Sequence, residues 1–175
     1  MRPWNDWYHV NGNTHGTWLR GDPRGWRARH HREHVQGDYR NPPPAGIYDE
    51  VQARPGQLMT RPLVRLSSEA AHHACETIKA SLRAHCIETL AVAVDEHHYH
   101  ILARFPDHRA RHWVGIAKKD SARALSESGL VPQGGVWAVR SRCLPIRDRA
   151  HQLNVFRYIL RHVSQGAAVW NYRDQ

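Results

Sequence analysis

Two histidines flank one aromatic residue in His98-Tyr99-His100, within a segment rich in apolar and β-branched residues that predicts a strand. Side chains alternate between the two faces of a strand, so we expect His98 and His100 to project together while Tyr99 turns into the core. Two imidazoles held close together on rigid backbone form half of a divalent-metal site. A predicted helix later in the chain supplies a tyrosine, Tyr158, and a further histidine, His162.

The predicted last helix separates Tyr158 from the residues expected to pack. Its apolar residues form a stripe about 80° wide, counted at about 100° per residue: Leu153, Phe156, Leu160 and Val163. Tyr158 lies opposite this stripe, with His162 one turn later and His151 two turns earlier. A tyrosine that points away from the packing face, among histidines, indicates a role in chemistry.

These residue types suit phosphoryl transfer. A tyrosine hydroxyl has a pKa of about 10 and is a poor nucleophile at neutral pH without help. A divalent cation beside a scissile phosphate polarises its bonds and offsets the developing charge. The resulting phosphotyrosine keeps the energy of the phosphodiester, so a released 3′-hydroxyl can attack it and rejoin strands. Simple hydrolysis would not need the tyrosine.

The charge of the chain favours a nucleic-acid partner. It carries 25 Lys and Arg against 16 Asp and Glu, a formal net charge of +9. Such a balance indicates a polyanion, since each neutralised phosphate releases counterions. We expect Trp18, Trp26 or Trp113 to stack on unpaired bases, with Trp113 the most suited to the core. The expected phosphate contacts are Arg104, Arg109, Arg111, Lys118, Lys119, Arg140, Arg142, Arg157 and Arg161.

Composition also indicates the cellular compartment of the protein. No stretch approaches the ~20 apolar residues of a membrane span, so we expect no membrane association. The three cysteines are far apart and form no CxxC pair, which predicts free buried thiols in a reducing compartment. We therefore expect a cytoplasmic, nucleoid-associated protein.

The predicted elements follow the order β-α-β-β-α-β-α. Strands are expected over 7–14, 87–94, 97–105 and 136–143, and helices over 67–85, 108–126 and 147–163. This order predicts an α+β fold, a ferredoxin-like antiparallel sheet with helices on one face, plus a C-terminal helix that carries Tyr158. The strand with His98 and His100 would be central. Asp95-Glu96 would form the turn before it, and their closeness to the motif leaves a minor role in metal affinity open. We expect a single domain, 1–175, interrupted by an insertion.

The insertion, at about 20–62, is basic and rich in Pro and Arg. Six arginines fall between Arg20 and Arg40, and three prolines follow at 42–44. Such a stretch buries little apolar surface and predicts an irregular segment. It is either a flexible surface loop or a basic arm that grips nucleic acid through Trp26 and Tyr39. A second metal site at His30, His31 and His34 is less expected than an exposed basic arm.

Taken together, these features resemble the HUH single-tyrosine transposases, and most closely the REP-associated tyrosine transposases and their insertion-sequence relatives. The likeness rests on the HxH strand, a terminal helix with a tyrosine and a polar residue four positions on, and the order of elements. It covers most of the chain outside the insertion, through His15-Gly16-Thr17-Trp18-Leu19, Val92 to Phe105, Trp137 and the Tyr158 helix.

The resemblance implies a metal-dependent transposase that cleaves and transfers single-stranded or hairpin DNA. His98 and His100 would bind the metal, and Tyr158 would form a 5′-phosphotyrosine link. His162 stands where relatives carry Asn or Gln as a third ligand, and Val163-Ser164 replaces their usual Asn-Pro. The cofactor would be Mg²⁺ or Mn²⁺, and a third imidazole favours Mn²⁺ or another transition metal.

Three functions remain open from the sequence. The first is the transposase, acting as a monomer or a homodimer. The second is a domesticated, non-catalytic binder of structured single-stranded nucleic acid. The third is a metal hydrolase in which His98, His100 and His162 bind zinc and activate water.

Overall fold

The computed structural model describes residues 3–23, 26, 33–37 and 41–174, without the side chains of residues 52 and 55. The chain divides into two compact units. The first comprises residues 1–14 and 65–175, and the second comprises residues 15–64. Tyr39, His30 and His31, to which the sequence assigned a basic arm or a second metal site, lie outside the described residues.

The first unit is built on a five-stranded sheet in the order β4-β1-β3-β2-β5. Every neighbouring pair is antiparallel. The strands are β1 (Trp7–Asn13), β2 (Thr89–Val94), β3 (His98–Arg104), β4 (Arg142–Pro145) and β5 (Ala168–Asn171). The HxH strand is β3 and it is central, so the predicted α+β ferredoxin-like arrangement is confirmed. The fifth strand was not predicted.

Two helices of the first unit, α2 (Ser68–Ala84) and α3 (Ala110–Glu127), pack on each other. The helix α2 begins where predicted, because the Ser67 side chain accepts a hydrogen bond from the Ala70 N–H at 3.1 Å. The face of β3 that carries Tyr99 turns toward α3: Tyr99 is fully buried and meets Trp137, whose indole N–H donates to Ser121 of α3. The prediction that Tyr99 is a core residue is confirmed.

The last helix, α4 (Arg149–Arg161), lies on the other face of the sheet. Asp148 starts it by accepting a hydrogen bond from the His151 N–H at 2.7 Å. Its core contacts include two small residues of β2, Ala91 and Ala93, and Leu102 of β3. A 3-10 turn, His162–Gln165, follows α4, and Gly166 then takes a φ of 83°, from which the chain enters β5.

The predicted packing face of α4 is wrong, because the face that the structure buries is centred on other residues. The buried residues are Gln152, Val155, Phe156 and Ile159, whereas Val163 is 64% exposed. The buried face is therefore rotated by roughly 70° toward Tyr158 and His162, at about 100° per residue. The helix carries apolar residues on both candidate faces, and contact with the alanines of β2 selects the one that buries Ile159 completely.

The predicted strand over 136–143 is also wrong in its extent. Trp137 makes only an isolated bridge with Thr14, and β4 begins at Arg142. The buried Lys118 explains the gap, since its ammonium donates to the carbonyls of Ala138 and Val139. These two carbonyls accept hydrogen bonds from a side chain and not from a neighbouring strand, so residues 138 and 139 lie outside the sheet.

The second unit contains the predicted insertion and one helix that the sequence did not predict, α1 (Asp49–Gln57). Asp49 and Glu50 occupy its first turn and Arg54 its last, charges that favour the helix dipole. Among the cysteines, all of them free, Cys75 is buried as expected, but Cys86 is exposed and Cys143 partly so.

Gly12 and Tyr99 provide a test of this packing. Gly12 pairs with Tyr99 across β1 and β3, and an added Cβ would lie 2.6 Å from the Tyr99 hydroxyl oxygen. We expect Gly12→Ala to lower the free energy of unfolding by about 1–3 kcal/mol through overpacking. Gly115→Ala, in α3 with open space around its Cβ, should instead raise it by up to about 1 kcal/mol. Denaturant unfolding measures both, and a neutral Gly12→Ala would contradict the packing described here.

Candidate metal centre and nucleophile

Three imidazoles from two elements meet on the α4 face of the sheet. His98 and His100 project from β3, and His162 begins the turn after α4. One ring nitrogen from each lies within 4.8 Å of the other two. His100 and His162 are buried, and His98 is partly so. The structure thus brings together the histidines that the sequence singled out.

Each of the three rings uses its Nδ1 in a hydrogen bond away from the cluster. His98 Nδ1 lies 2.6 Å from Asp95 Oδ2, His100 Nδ1 3.0 Å from His9 Nε2, and His162 Nδ1 3.0 Å from the Tyr158 carbonyl oxygen. These partners hold the ring orientations and leave Nε2 of each imidazole for a ligand. Among the described residues, His100 Nε2 is buried without a hydrogen-bond partner.

The electrostatics favour neutral imidazoles at His100 and His162. Burial, reinforced by His98 and His9, lowers the pKa of His100 to about 2, and burial lowers the pKa of His162 as well. Burial opposes ionisation of Asp95, but hydrogen bonds from His98 and from the backbone of His97 outweigh it and lower the pKa of that carboxyl to about 2. At neutral pH His100 and His162 therefore offer unprotonated nitrogens near the Asp95 carboxylate, the protonation states that bind a cation.

This donor set fits a divalent metal ion. His98, His100 and His162 would hold it, and three protein ligands leave coordination positions for water or substrate. An all-nitrogen set suits Mn²⁺ or another transition metal better than Mg²⁺, which prefers oxygen. The orphaned Nε2 of His100 supports the fit, because a buried nitrogen without a partner is costly unless something binds it.

Tyr158 lies at the solvent side of the cluster. Its ring is edge-on to the His162 ring at 4.7 Å and to the His100 ring at 5.3 Å, measured between ring centroids. The side chain is 45% exposed, which leaves the phenol accessible from outside. The tyrosine and the three histidines come together within one chain.

Two residues support the cluster: Asp95, for which the sequence left a role in metal affinity open, and His9, which sequence reasoning missed. Asp95 was assigned mainly to the hairpin turn; it does accept the N–H groups of His97 and His98, but its second oxygen holds the His98 ring. His9, from β1, orients His100 and was not singled out. His9 is two residues before Asn11, so the two side chains share one face of β1. That this is the face of the imidazole cluster follows only from the register of β1 with β3, in which Asn11 lies opposite His100.

A second group of candidate ligands comprises Asp95, His97 and His98. It shares one member, His98, with the first. The Asp95 carboxylate and the His98 Nδ1 are already bonded to each other, so this group is best understood as the support of the first cluster. His97 lies in the turn, one residue before β3 begins.

The structure does not gather the predicted phosphate contacts on one surface. Lys118 is buried and its ammonium is bonded to carbonyl groups, so it is not available to a phosphate. Arg104 ends β3 at the opposite end from His98 and pairs with Glu88. Three further candidates lie in α3 or at its start, on the face of the sheet opposite to the imidazole cluster: Arg109, Arg111 and Lys119. On the site side, Arg157 and Arg161 are exposed on α4, and Arg142 is exposed on β4, preceded by the exposed Arg140.

The aromatic candidates also differ in exposure. Trp18 is 43% exposed, and Trp26 is partly buried. Trp113, expected in the core, is only partly buried, because its indole N–H donates to the surface carboxylate of Asp107 at 2.7 Å.

Comparison with known proteins supports the fold. No protein-family model matches the chain, and no curated protein sequence matches it. Among solved structures, that of a REP-associated tyrosine transposase bound to a REP hairpin matches with a TM-score of 0.51 and 15% sequence identity. The match covers 95% of this chain and 72% of that chain. At this identity the likeness shows a shared fold.

None of the helices in the described residues combines the length and the apolar character that crossing a membrane requires.

The Asp95–His98 contact predicts a measurable change in metal affinity. Asp95→Asn keeps an oxygen for the turn but removes the charge that orients and polarises His98. We expect Mn²⁺ to bind about 10-fold to 100-fold more weakly in isothermal titration calorimetry. Glu96→Gln is the matched control, since Glu96 is exposed and pairs with Arg65. Equal Mn²⁺ affinity in Asp95→Asn and the wild type would count against the proposed support.

Proposed function

We propose that this protein is a DNA strand-transferase of the HUH single-tyrosine transposase kind. It would cleave single-stranded or hairpin-flanked DNA through a 5′-phosphotyrosine intermediate. The observation that carries the proposal is the packing of Tyr158 against His100 and His162, in the same chain as the complete imidazole cluster. The fold shared with a hairpin-bound tyrosine transposase supports it.

The proposed reaction uses Tyr158 as the nucleophile. Its phenolic oxygen attacks the phosphorus, the phenol gives up its proton, and the bond from phosphorus to the 3′ oxygen breaks. The leaving 3′ oxygen gains a proton, and the 5′ phosphate stays on the tyrosine. Reversal by another 3′-hydroxyl rejoins strands without a nucleotide cofactor, which is why a covalent tyrosine suits transfer better than hydrolysis.

The residues around Tyr158 divide the remaining tasks. A divalent cation bound by the three imidazoles would polarise the scissile phosphate and stabilise the charge that develops on it. Asp95 and His9 keep two of the imidazoles oriented. The turn after α4 links ligand and nucleophile, because the His162 ring is bonded to the backbone of Tyr158 itself.

A labelled hairpin oligonucleotide tests the proposal. The full chain is incubated with Mn²⁺ and the same oligonucleotide carrying either a 5′ or a 3′ label, and the products are separated under denaturing conditions. We expect the 3′ label in a covalent protein adduct and the 5′ label in a shorter free strand. The adduct should be lost in Tyr158→Phe.

Tyr172→Phe is the matched control for that variant. Tyr172 is 42% exposed, close to the value for Tyr158, but it packs on Phe156 and not on the imidazole cluster. We expect it to form the adduct at the wild-type level. An adduct that persists in Tyr158→Phe would refute the assigned nucleophile.

The three-imidazole donor set also favours a second candidate, a metal hydrolase, because three histidines with an open position are typical of catalytic zinc. Cleavage that survives Tyr158→Phe and leaves both labels on free strands would establish it. Tight binding without cleavage by any metal-loaded form would instead identify a non-catalytic nucleic-acid binder.

A further inference from the structure

The α4 face of the sheet is only partly covered. Along β1, the side chains on this face pass from buried at Trp7 and His9 to partly exposed at Asn11 and Asn13. On β4, Arg142 is exposed. The end of the sheet nearest the imidazole cluster therefore remains open toward β4.

The strand register places these open residues in line with the cluster. Asn11 lies opposite His100 on β3 and opposite Arg142 on β4, and Asn13 lies opposite His98. Directly opposed residues in antiparallel strands point to the same face. Strands are about 4.8 Å apart, so Asn11 is one strand from His100 and Arg142 about 10 Å from it at the backbone.

We propose that Asn11, Asn13 and Arg142, here called the β1–β4 patch, bind the nucleotides next to the scissile phosphate as a single strand. This rests on the proposed function and names the surface that guides its substrate. Arg142 would bind a phosphate through its guanidinium fork, and the two amides would contact base or sugar edges.

The charge of the patch favours a nucleic-acid strand. In the described part of the chain, no carboxylate lies within 4.0 Å of the Arg142 guanidinium, which distinguishes it from Arg104 with its Glu88 partner. The acid nearest the cluster, Asp95, is bonded to His98. A phosphate entering the patch therefore meets neutral amides and a cation that, among the described residues, has no carboxylate partner.

The size of the patch favours a single-stranded over a double-stranded nucleic acid. It spans the two strands β1 and β4, about 10 Å of sheet, between α4 on one side and the sheet edge on the other. The edge continues into the segment before β4, where Ala138 donates to the Asn13 carbonyl and Lys118 holds the backbone of Ala138 and Val139. This rigid border ends in Arg140, another exposed cation.

Binding measured without cleavage tests the patch apart from the chemistry. The probe is a fluorescein-labelled hairpin oligonucleotide with randomised single-stranded tails, in EDTA, followed by fluorescence anisotropy with the full chain. We expect Arg142→Gln to raise the Kd by about 10-fold to 100-fold, the effect of losing a charged hydrogen bond. The dependence of log Kd on log salt should become shallower by about one phosphate contact.

Arg83→Gln is the matched control. Arg83 is an exposed arginine in the last turn of α2, on the other side of the sheet, so this variant loses the same charge away from the patch. We expect its Kd to change less than twofold. Mn²⁺ affinity should be unchanged in Arg142→Gln, which would show that the metal centre is intact.

Photo-crosslinking locates the bound single-stranded nucleic acid directly. With 4-thiothymidine in the single-stranded tail and Tyr158→Phe to prevent turnover, crosslinks should map to peptides from β1 and β4. Crosslinks confined to α3, or equal Kd values for Arg142→Gln and Arg83→Gln, would overturn the patch even if the wild type forms the Tyr158 adduct. A wild-type protein that binds the oligonucleotide at the patch but forms no adduct would instead contradict the proposed function alone.

Discussion

His100 lies where the central strand meets the last helix, and its ring sets the conditions for the rest of the site. Burial excludes a charged imidazole, so the ring stays neutral at physiological pH. Its Nδ1 is bonded to His9, and its Nε2 faces the other imidazoles without a partner. An orphaned buried nitrogen costs about 1–3 kcal/mol. The folded chain therefore carries a local cost that coordination of a cation would remove.

The helix α4 connects core packing to this chemistry. Ile159 and Phe156 pack over the alanines of β2, and this contact fixes the rotation of the helix about its axis. The same rotation directs Tyr158 and His162 toward β3. Because Tyr158 lies in the last turn of α4 and His162 begins the 3-10 turn that follows directly, the two side chains are positioned together. The small side chains of Ala91 and Ala93 thus have a functional consequence, since larger ones would lift the helix from the sheet.

Local placement of charge matters more here than the net charge. The chain carries a formal +9, yet the described cations of the first unit are divided between the two faces of the sheet, and Lys118 donates to backbone carbonyls. Asp95, a single anion, is placed where it supports His98. Of the cations, Arg142 combines exposure with a register position in line with His100. Electrostatic attraction brings a polyanion to such a protein, but alignment at the site depends on few residues.

The sequence by itself determined the order of most elements, the central HxH strand and the three imidazoles. These follow from local rules: the alternation of a strand places His98 and His100 on one face, and helix periodicity places His162 one turn after Tyr158. The tertiary structure decided which face of α4 is buried, the added strand β5, and the roles of His9 and Asp95. Two faces of α4 were apolar enough to pack, and only contact with β2 distinguishes them. His9 is 91 residues from His100 along the chain, and no local pattern encodes a hydrogen bond over that separation.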